Sequence, residues 1–239
     1  NPFPSYIHGN TSADSSNNFL TVNTDKLHDS YEAIYGYDAD GSGYTAYNNT
    51  SSALNLAPGQ AFMVASDNTS SDNISFTTDM RTIVGGDDLI VGDILEDTFE
   101  LIIKLYDGDT ELDYTKFYFA DGLSLGLDPG YDAGNFNQGA SLMSRLVEED
   151  EGVGLVINAM GLESVNDVVV PLEINRESGN SFRISIDTFD IYAGTNVYLE
   201  DNVQGTMTLL NEQDFELTPE NNLSGVGRFF IHLTETTFS

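Results

Sequence analysis

The chain has 239 residues, 40% of them hydrophobic, with 14 Phe and 12 Tyr but neither Trp nor Cys, enough apolar material for one large β domain or two smaller ones. Its 39 Asp and Glu against 8 Lys and Arg give a formal charge of -31, spread along the whole chain. That excludes nucleic acid as a partner, since phosphate contacts need clustered cations, and disfavours anionic membrane surfaces.

Absence of cysteine removes both disulfides and thiol chemistry, and no apolar run is long enough to span a bilayer, so membrane insertion is not expected. A compact state this acidic repels itself; high external salt, bound divalent cations or protonation of the closest carboxylates are the physical remedies. The first two suit a marine or extracellular setting. The sequence begins at Asn1 without a positively charged, apolar signal region, and reads as a mature product or an excised piece of a longer exported protein.

In chain order, Asn1-Pro2-Phe3-Pro4-Ser5 is a turn-like entry whose prolines suppress helix, followed by a Ser- and Asn-rich loop over residues 10–18. Residues 32–48 (EAIYGYDADGSGYTAYN) read as a Tyr-rich hairpin with a glycine-rich turn. That turn superficially resembles a calcium loop, with Asp38, Asp40, Ser42 and Gly43 suitably spaced, but Asn49 stands where a bidentate Glu is needed and no helical pattern flanks it. Residues 57–65 and 73–80 are further strands. Val84-Gly85-Gly86-Asp87-Asp88 marks a boundary.

Beyond it, residues 98–106 and 114–120 alternate apolar and polar around an Asp107-Gly108-Asp109 turn. Residues 121–136 (DGLSLGLDPGYDAGNF) then form a loop too long for a hairpin, to be held by a cation or by its own aromatics. Strand-like runs follow at 140–146, 154–160, 168–174, 181–187, 196–200, 205–210, 214–218 and 228–233, with Pro171 expected at an edge or a bulge. No segment sustains a helical period. The expected class is all-β, as two consecutive antiparallel β-sandwiches of jelly-roll or immunoglobulin-like type over residues 1–85 and 86–239.

Asn1-Pro2-Phe3-Pro4-Ser5, Ala57-Pro58-Gly59-Gln60-Ala61-Phe62, Phe76-Thr77 and Met80-Arg81-Thr82, then Asp128-Pro129-Gly130-Tyr131-Asp132-Ala133, Val170-Pro171-Leu172, Val197-Tyr198-Leu199-Glu200-Asp201 and Arg228-Phe229 stand in one order along the chain. This succession resembles the β-rich region just upstream of the C-terminal sorting domain in large exported Bacteroidetes proteins that use type IX secretion. The resemblance implies a secreted or cell-surface multidomain protein in which this piece is a stalk, an adhesive or a glycan-contacting module, and it implies no reaction. Two departures stand out: the apolar strand that usually precedes the first motif is missing, and so is the sorting domain. The first domain is accordingly expected to lack an upstream strand, and to take one from a neighbouring segment or another copy.

For metal, Asp121, Asp128 and Asp132, with carbonyls near Gly126 and Gly130, offer the oxygen-only set that calcium prefers; the alternative is a plain turn at Asp128-Pro129-Gly130 with Tyr131 and Phe136 pinning the loop. Asp87, Asp88, Asp93, Glu96 and Asp97 form a second acidic group expected to face solvent. His8, His28 and His232 lack paired spacing, which argues against zinc or iron. Tyr35 and Tyr37 on one strand and Tyr44 and Tyr47 on its partner, beside polar Asn48, Asn49 and Asp38, offer a stacking platform for a glycan, against the alternative of ordinary cross-strand packing. No Gly-x-Ser-x-Gly elbow, His-Glu-x-x-His, phosphate loop or Cys nucleophile occurs, so no catalytic role is expected.

The leading expectation is a noncatalytic, calcium-stabilised extracellular module mediating adhesion or attachment to surface polysaccharide. The alternatives are a stalk or fibre subunit assembling with neighbouring domains or copies by strand exchange or end-to-end packing, and, more weakly, a polysaccharide-active enzyme using an unseen carboxylate pair.

Overall fold

A computed structural model describes residues 1–37, 43–67, 73–84, 98–137 and 139–238. It is all-β, and the chain divides into two compact units: Asn1–Glu96 with Asp128–Ala133, and Asp97–Leu127 with Gly134–Ser239. The first unit therefore receives a second, short visit from the chain, made by the middle of the acidic loop. No helix among the described residues is long and apolar enough to cross a membrane.

The first unit contains β1 (Tyr6–His8), a five-residue helix α1 (Phe19–Asn23), β2 (Ile34–Tyr37), β3 (Tyr44–Tyr47), β4 (Asn55–Leu56) and β5 (Arg81–Thr82). Strand β1 lies between β4 and β5, and β2 pairs with β3 antiparallel. These strands are short, and much of the unit is irregular chain around a small core of Ile7, Phe19, Leu20, Leu27, Ile34, Leu54, Leu56 and Met80. Phe19 anchors it, with the rings of Phe62 and Phe76 at 5.1 and 5.4 Å. Asn18 starts α1 by accepting from the Thr21 N–H, as a helix N-terminus requires.

The second unit is built from β6 (Phe99–Asp107), β7 (Thr110–Ala120), β8 (Ala133–Gly134), β9 (Ser141–Ser144), β10 (Leu155–Gly161), β11 (Asp167–Asn175), β12 (Phe182–Asp190), β13 (Asn196–Asp201), β14 (Thr206–Leu209), β15 (Phe215–Leu217) and β16 (Phe229–Thr234). Its strands run in the order β14-β13-β16-β11-β9-β10-β7-β6-β12-β15, with β8 off this path beside β10. The alternation of β6 comes straight from its sequence: Leu101, Ile103 and Leu105 are fully buried while Glu100, Ile102 and Lys104 are not. The sheet is mixed, not purely antiparallel as expected, because β10 runs parallel to β7. All seven residues of β10 are buried, which is the near-continuous apolar character a strand covered on both faces needs.

Counting along the sheet, β16 and β12 are six strand steps apart and β16 and β15 seven, which in a flat sheet would mean roughly 29 and 34 Å. Instead the rings of Phe182 and Phe215 lie 6.5 and 6.0 Å from Phe229. The sheet must curl until its distant strands share one core, and a single apolar cluster indeed draws on β6, β7, β9, β10, β11, β12, β13, β15 and β16. Register shifts help the bend: Leu112 is an extra residue of β7 opposite β6, and Asp187 one of β12 opposite β6. Lys104 ties the two irregularities, with Nζ 3.1 Å from Glu111 and 3.0 Å from Asp187. Pro171 lies in β11, an interior strand, not at an edge; its carbonyl accepts from Arg145 N at 3.0 Å just where the β9 register ends, so the donor it lacks falls beyond the ladder.

Phe229→Ala should lower the stability of the second unit by about 3–5 kcal/mol in urea unfolding, whereas Val203→Ala, at a side chain 72% exposed, should stay within about 0.5 kcal/mol. Equal midpoints for the two variants would contradict the curled core.

Candidate functional site

The middle of the loop 121–136 closes on itself before it meets anything else. Asp128-Pro129-Gly130-Tyr131 is a turn in which Tyr131 N donates to Asp128 O at 3.0 Å, Pro129 takes the second position, and Gly130 the third at φ +78°, the pattern of a type II turn. Asp132 N donates to the same carbonyl at 2.9 Å, while the Asp132 carboxylate, fully buried, accepts from Asp128 N at 2.7 Å.

This turn sits on a buried carboxamide network in the first unit. Asn49 N donates to Gly130 O at 2.8 Å and Asn48 Nδ2 to Tyr131 O at 2.6 Å. Both asparagines are fixed from behind. Asn48 Oδ1 accepts from Thr50 N and Oγ1, Asn49 Oδ1 accepts from Thr11 N and Oγ1, and Asn10 Nδ2 donates to the carbonyls of Asn48, Ser51 and Ser52. A side chain at position 130 would bring its Cβ to 2.8 Å from Asn49 Nδ2, so glycine is required for the close approach as well as for the positive φ.

Glu32 lies beside the same turn, its Oε1 at 3.4 Å from where a Cβ of residue 130 would stand. It is 2% exposed. Oε1 accepts from Thr24 Oγ1 at 2.9 Å, but Oε2 is buried without a hydrogen-bond partner. Burial raises its carboxyl above the ordinary glutamate value; the Thr24 bond opposes this, and the nearby Asp29 charge adds to it.

The three aspartates expected to share a cation are divided between the units. Asp121 is exposed in the second, whereas Asp128 and Asp132 belong to the first. Among the described residues no three His, Asp or Glu side chains are grouped so as to hold a metal. Hydrogen bonds from amides hold the middle turn of the loop. Its return in the second unit is fastened likewise: buried Asp113 accepts from Asn137 Nδ2, Asn135 Nδ2 and Leu142 N at 2.8–2.9 Å.

The four tyrosines separate by depth. Tyr35 is buried at 1% exposure and Tyr47 packs against the core, while Tyr37, 65% exposed, meets Tyr44 across the hairpin with centroids 5.4 Å apart and planes at 67°. His232 pairs with Glu200 at 2.7 Å on the rim of the second unit. The loop at Asp38, Asp40 and Ser42 and the acids Asp87, Asp88, Asp93, Glu96 and Asp97 lie outside the described residues.

A surface cleft of about 590 Å³ borders β12 and β15, between Gly108, Asp109, Ser181, Arg183, Glu216 and Thr218. Its cation is committed: Arg183 lies 4.3 Å over the Tyr106 ring and pairs with Asp214 at 2.8 Å. Sequence reasoning missed Asn10 and Glu32, and gave Asn48 and Asn49 only a place beside the tyrosine platform, not the role of receiving the loop. The one local signal was the run Asn48-Asn49-Thr50-Ser51-Ser52 after a strand, richer in amide and hydroxyl groups than a plain turn needs.

A family model described as a domain of unknown function (DUF8693) matches residues 1–233. No curated protein and no solved structure matches the chain.

The raised carboxyl of Glu32 has a definite sign in stability. Above its folded value, ionisation burdens the native state more than the unfolded chain, and the burden is relieved as pH falls toward 4.5, the ordinary value. In chelator, Glu32→Gln should therefore melt above the wild type at pH 7 and lose that advantage as pH is lowered. A wild-type melt that outlasts the variant at pH 7 in chelator would contradict this.

Proposed function

We propose, for a chain that belongs to the DUF8693 family, a noncatalytic extracellular module of a secreted or surface protein, stabilised by calcium and attaching to polysaccharide. The observation that carries the attachment is the cross-strand pair of Tyr37 and Tyr44, the first 65% exposed and the two rings edge to face. Such a pair offers apolar faces with polar hydroxyls at the water boundary, the combination on which sugar rings stack. The two consecutive sandwich domains suggested by the sequence remain the finer architectural proposal, as does kinship with modules upstream of a type IX sorting domain.

A second reading, a structural spacer or fibre subunit, is favoured by a different observation. All six Lys and Arg side chains of the second unit are ion-paired within it: Lys104 with Glu111 and Asp187, Lys116 with Glu100, Arg145 with Asp150 and Glu173, Arg176 with Asp107, Arg183 with Asp214 and Arg228 with Asp201. Charges spent on the scaffold suit a load-bearing part.

A glycan array with the wild type and the Tyr37→Ala and Tyr44→Ala variants separates the two. The attachment reading expects binding to several related sugars that each variant weakens about tenfold, equivalent to roughly 1.4 kcal/mol. Undiminished binding in the double variant would remove the tyrosines from the site, and no binding with concentration-dependent polymerisation would establish the spacer.

A further inference from the structure

The first unit has two cationic side chains, Lys26 and Arg81, and neither serves Glu32. Lys26 Nζ is 3.7 Å from Asp25 and donates to Ser75 Oγ. Arg81 donates to Ser5 Oγ and lies over the Phe3 ring at 5.7 Å. His28, four residues before Glu32, is engaged at Nδ1 by Ser30 N. A carboxylate oxygen buried with neither donor nor counter-charge is the costliest polar atom a fold can keep. The neutralising charge for Glu32 must come from solution.

We propose that Glu32 Oε2 is a ligand for a divalent cation of the calcium class, on the turn of residues 29–32 where it faces Gly130. Asp29 lies on that turn and strengthens the negative field, and the Thr24 hydroxyl holds the carboxylate in place through Oε1. A hard cation at Oε2 replaces the missing donor and cancels the charge together, and charge-dense divalent ions bind carboxylate oxygen strongly once it is already desolvated. The site's defining oxygen is not one of the aspartate trio read from the sequence, although the turn that carries Asp128 and Asp132 faces it through Gly130. It rests on the calcium part of the function proposed above and gives that part an address.

The test uses the whole chain, freed of metal and held in high monovalent salt to screen the surface acids. Calcium is titrated into the wild type, Glu32→Gln and Asp121→Asn, followed by thermal melting and by terbium luminescence sensitised through tyrosine. Tyr31 adjoins Glu32 and no tryptophan competes. The expected result is a calcium-dependent rise in the wild-type midpoint and a terbium signal displaced by calcium. Both should persist in Asp121→Asn, and Glu32→Gln should lose the rise and bind about tenfold or more weakly. A response equal in Glu32→Gln and wild type, or lost only in Asp121→Asn, overturns the Glu32 site while leaving calcium stabilisation standing. No response in any protein overturns both and leaves a proton as the neutralising charge. Should Glu32→Gln fail to fold, terbium binding to the wild type decides: failure to light up, or light that calcium does not displace, is fatal to the site.

Discussion

Backbone and carboxamide N–H groups solvate three of the buried acids among the described residues, one of them together with an arginine, and the loops that supply those groups are shaped by it. With 39 carboxylates and 8 Lys and Arg, most acids of the chain have no cation to pair with. Asp132 takes the Asp128 N–H, Asp113 takes Leu142 N and two asparagine side chains, and Asp201 takes Val203 N and Gln204 N besides Arg228. Charge-assisted hydrogen bonds from amides fix a carboxylate more tightly than a mobile lysine would, and they shape the chain that supplies them. In each case a donor comes from a turn or a loop. Glu32 is the exception that this pattern makes conspicuous, with one oxygen served by Thr24 and the other by nothing among the described residues.

The acidic loop gains its order from the same currency of amides. Its turn at Asp128–Ala133 belongs to the first unit, received by Asn48 and Asn49, which are themselves immobilised by Thr11, Thr50 and Asn10. Partners 81 to 83 residues apart in sequence thus hold the turn. Fully satisfied polar networks of this kind are specific because every member has one geometry in which all its bonds are met.

Strands β6 and β7 were legible in the sequence because each buries one face, so period 2 is written in Leu101, Ile103 and Leu105 and again in Phe117 and Phe119. Acid and glycine at Asp107-Gly108-Asp109 marked their turn for an equally local reason. The parallel pairing of β10 with β7 was not legible, since an apolar run announces burial on both faces without naming its neighbour. Nor was the curl that brings Phe229 to Phe182 and Phe215, which depends on strand order. The site was harder still. Tyr37 and Tyr35 share a strand face and a residue type, yet depth along the hairpin exposes one and buries the other. Asn48 and Asn49 resemble turn filler until their partners at Gly130 and Tyr131 are known. Nothing in the residues around Glu32 signals that it is the acid left incomplete.

The central claim is that the amide network of Asn10, Asn48 and Asn49 holds the Asp128–Ala133 turn in the first unit. Hydrogen–deuterium exchange of the Asn49, Tyr131 and Asp132 amides in the wild type and in Asn48→Ala tests it directly. The account predicts strong protection of all three in the wild type and a marked, local loss at residues 128–133 in the variant, with β6 and β7 unchanged. Protection at residues 128–133 that survives Asn48→Ala undiminished would contradict it.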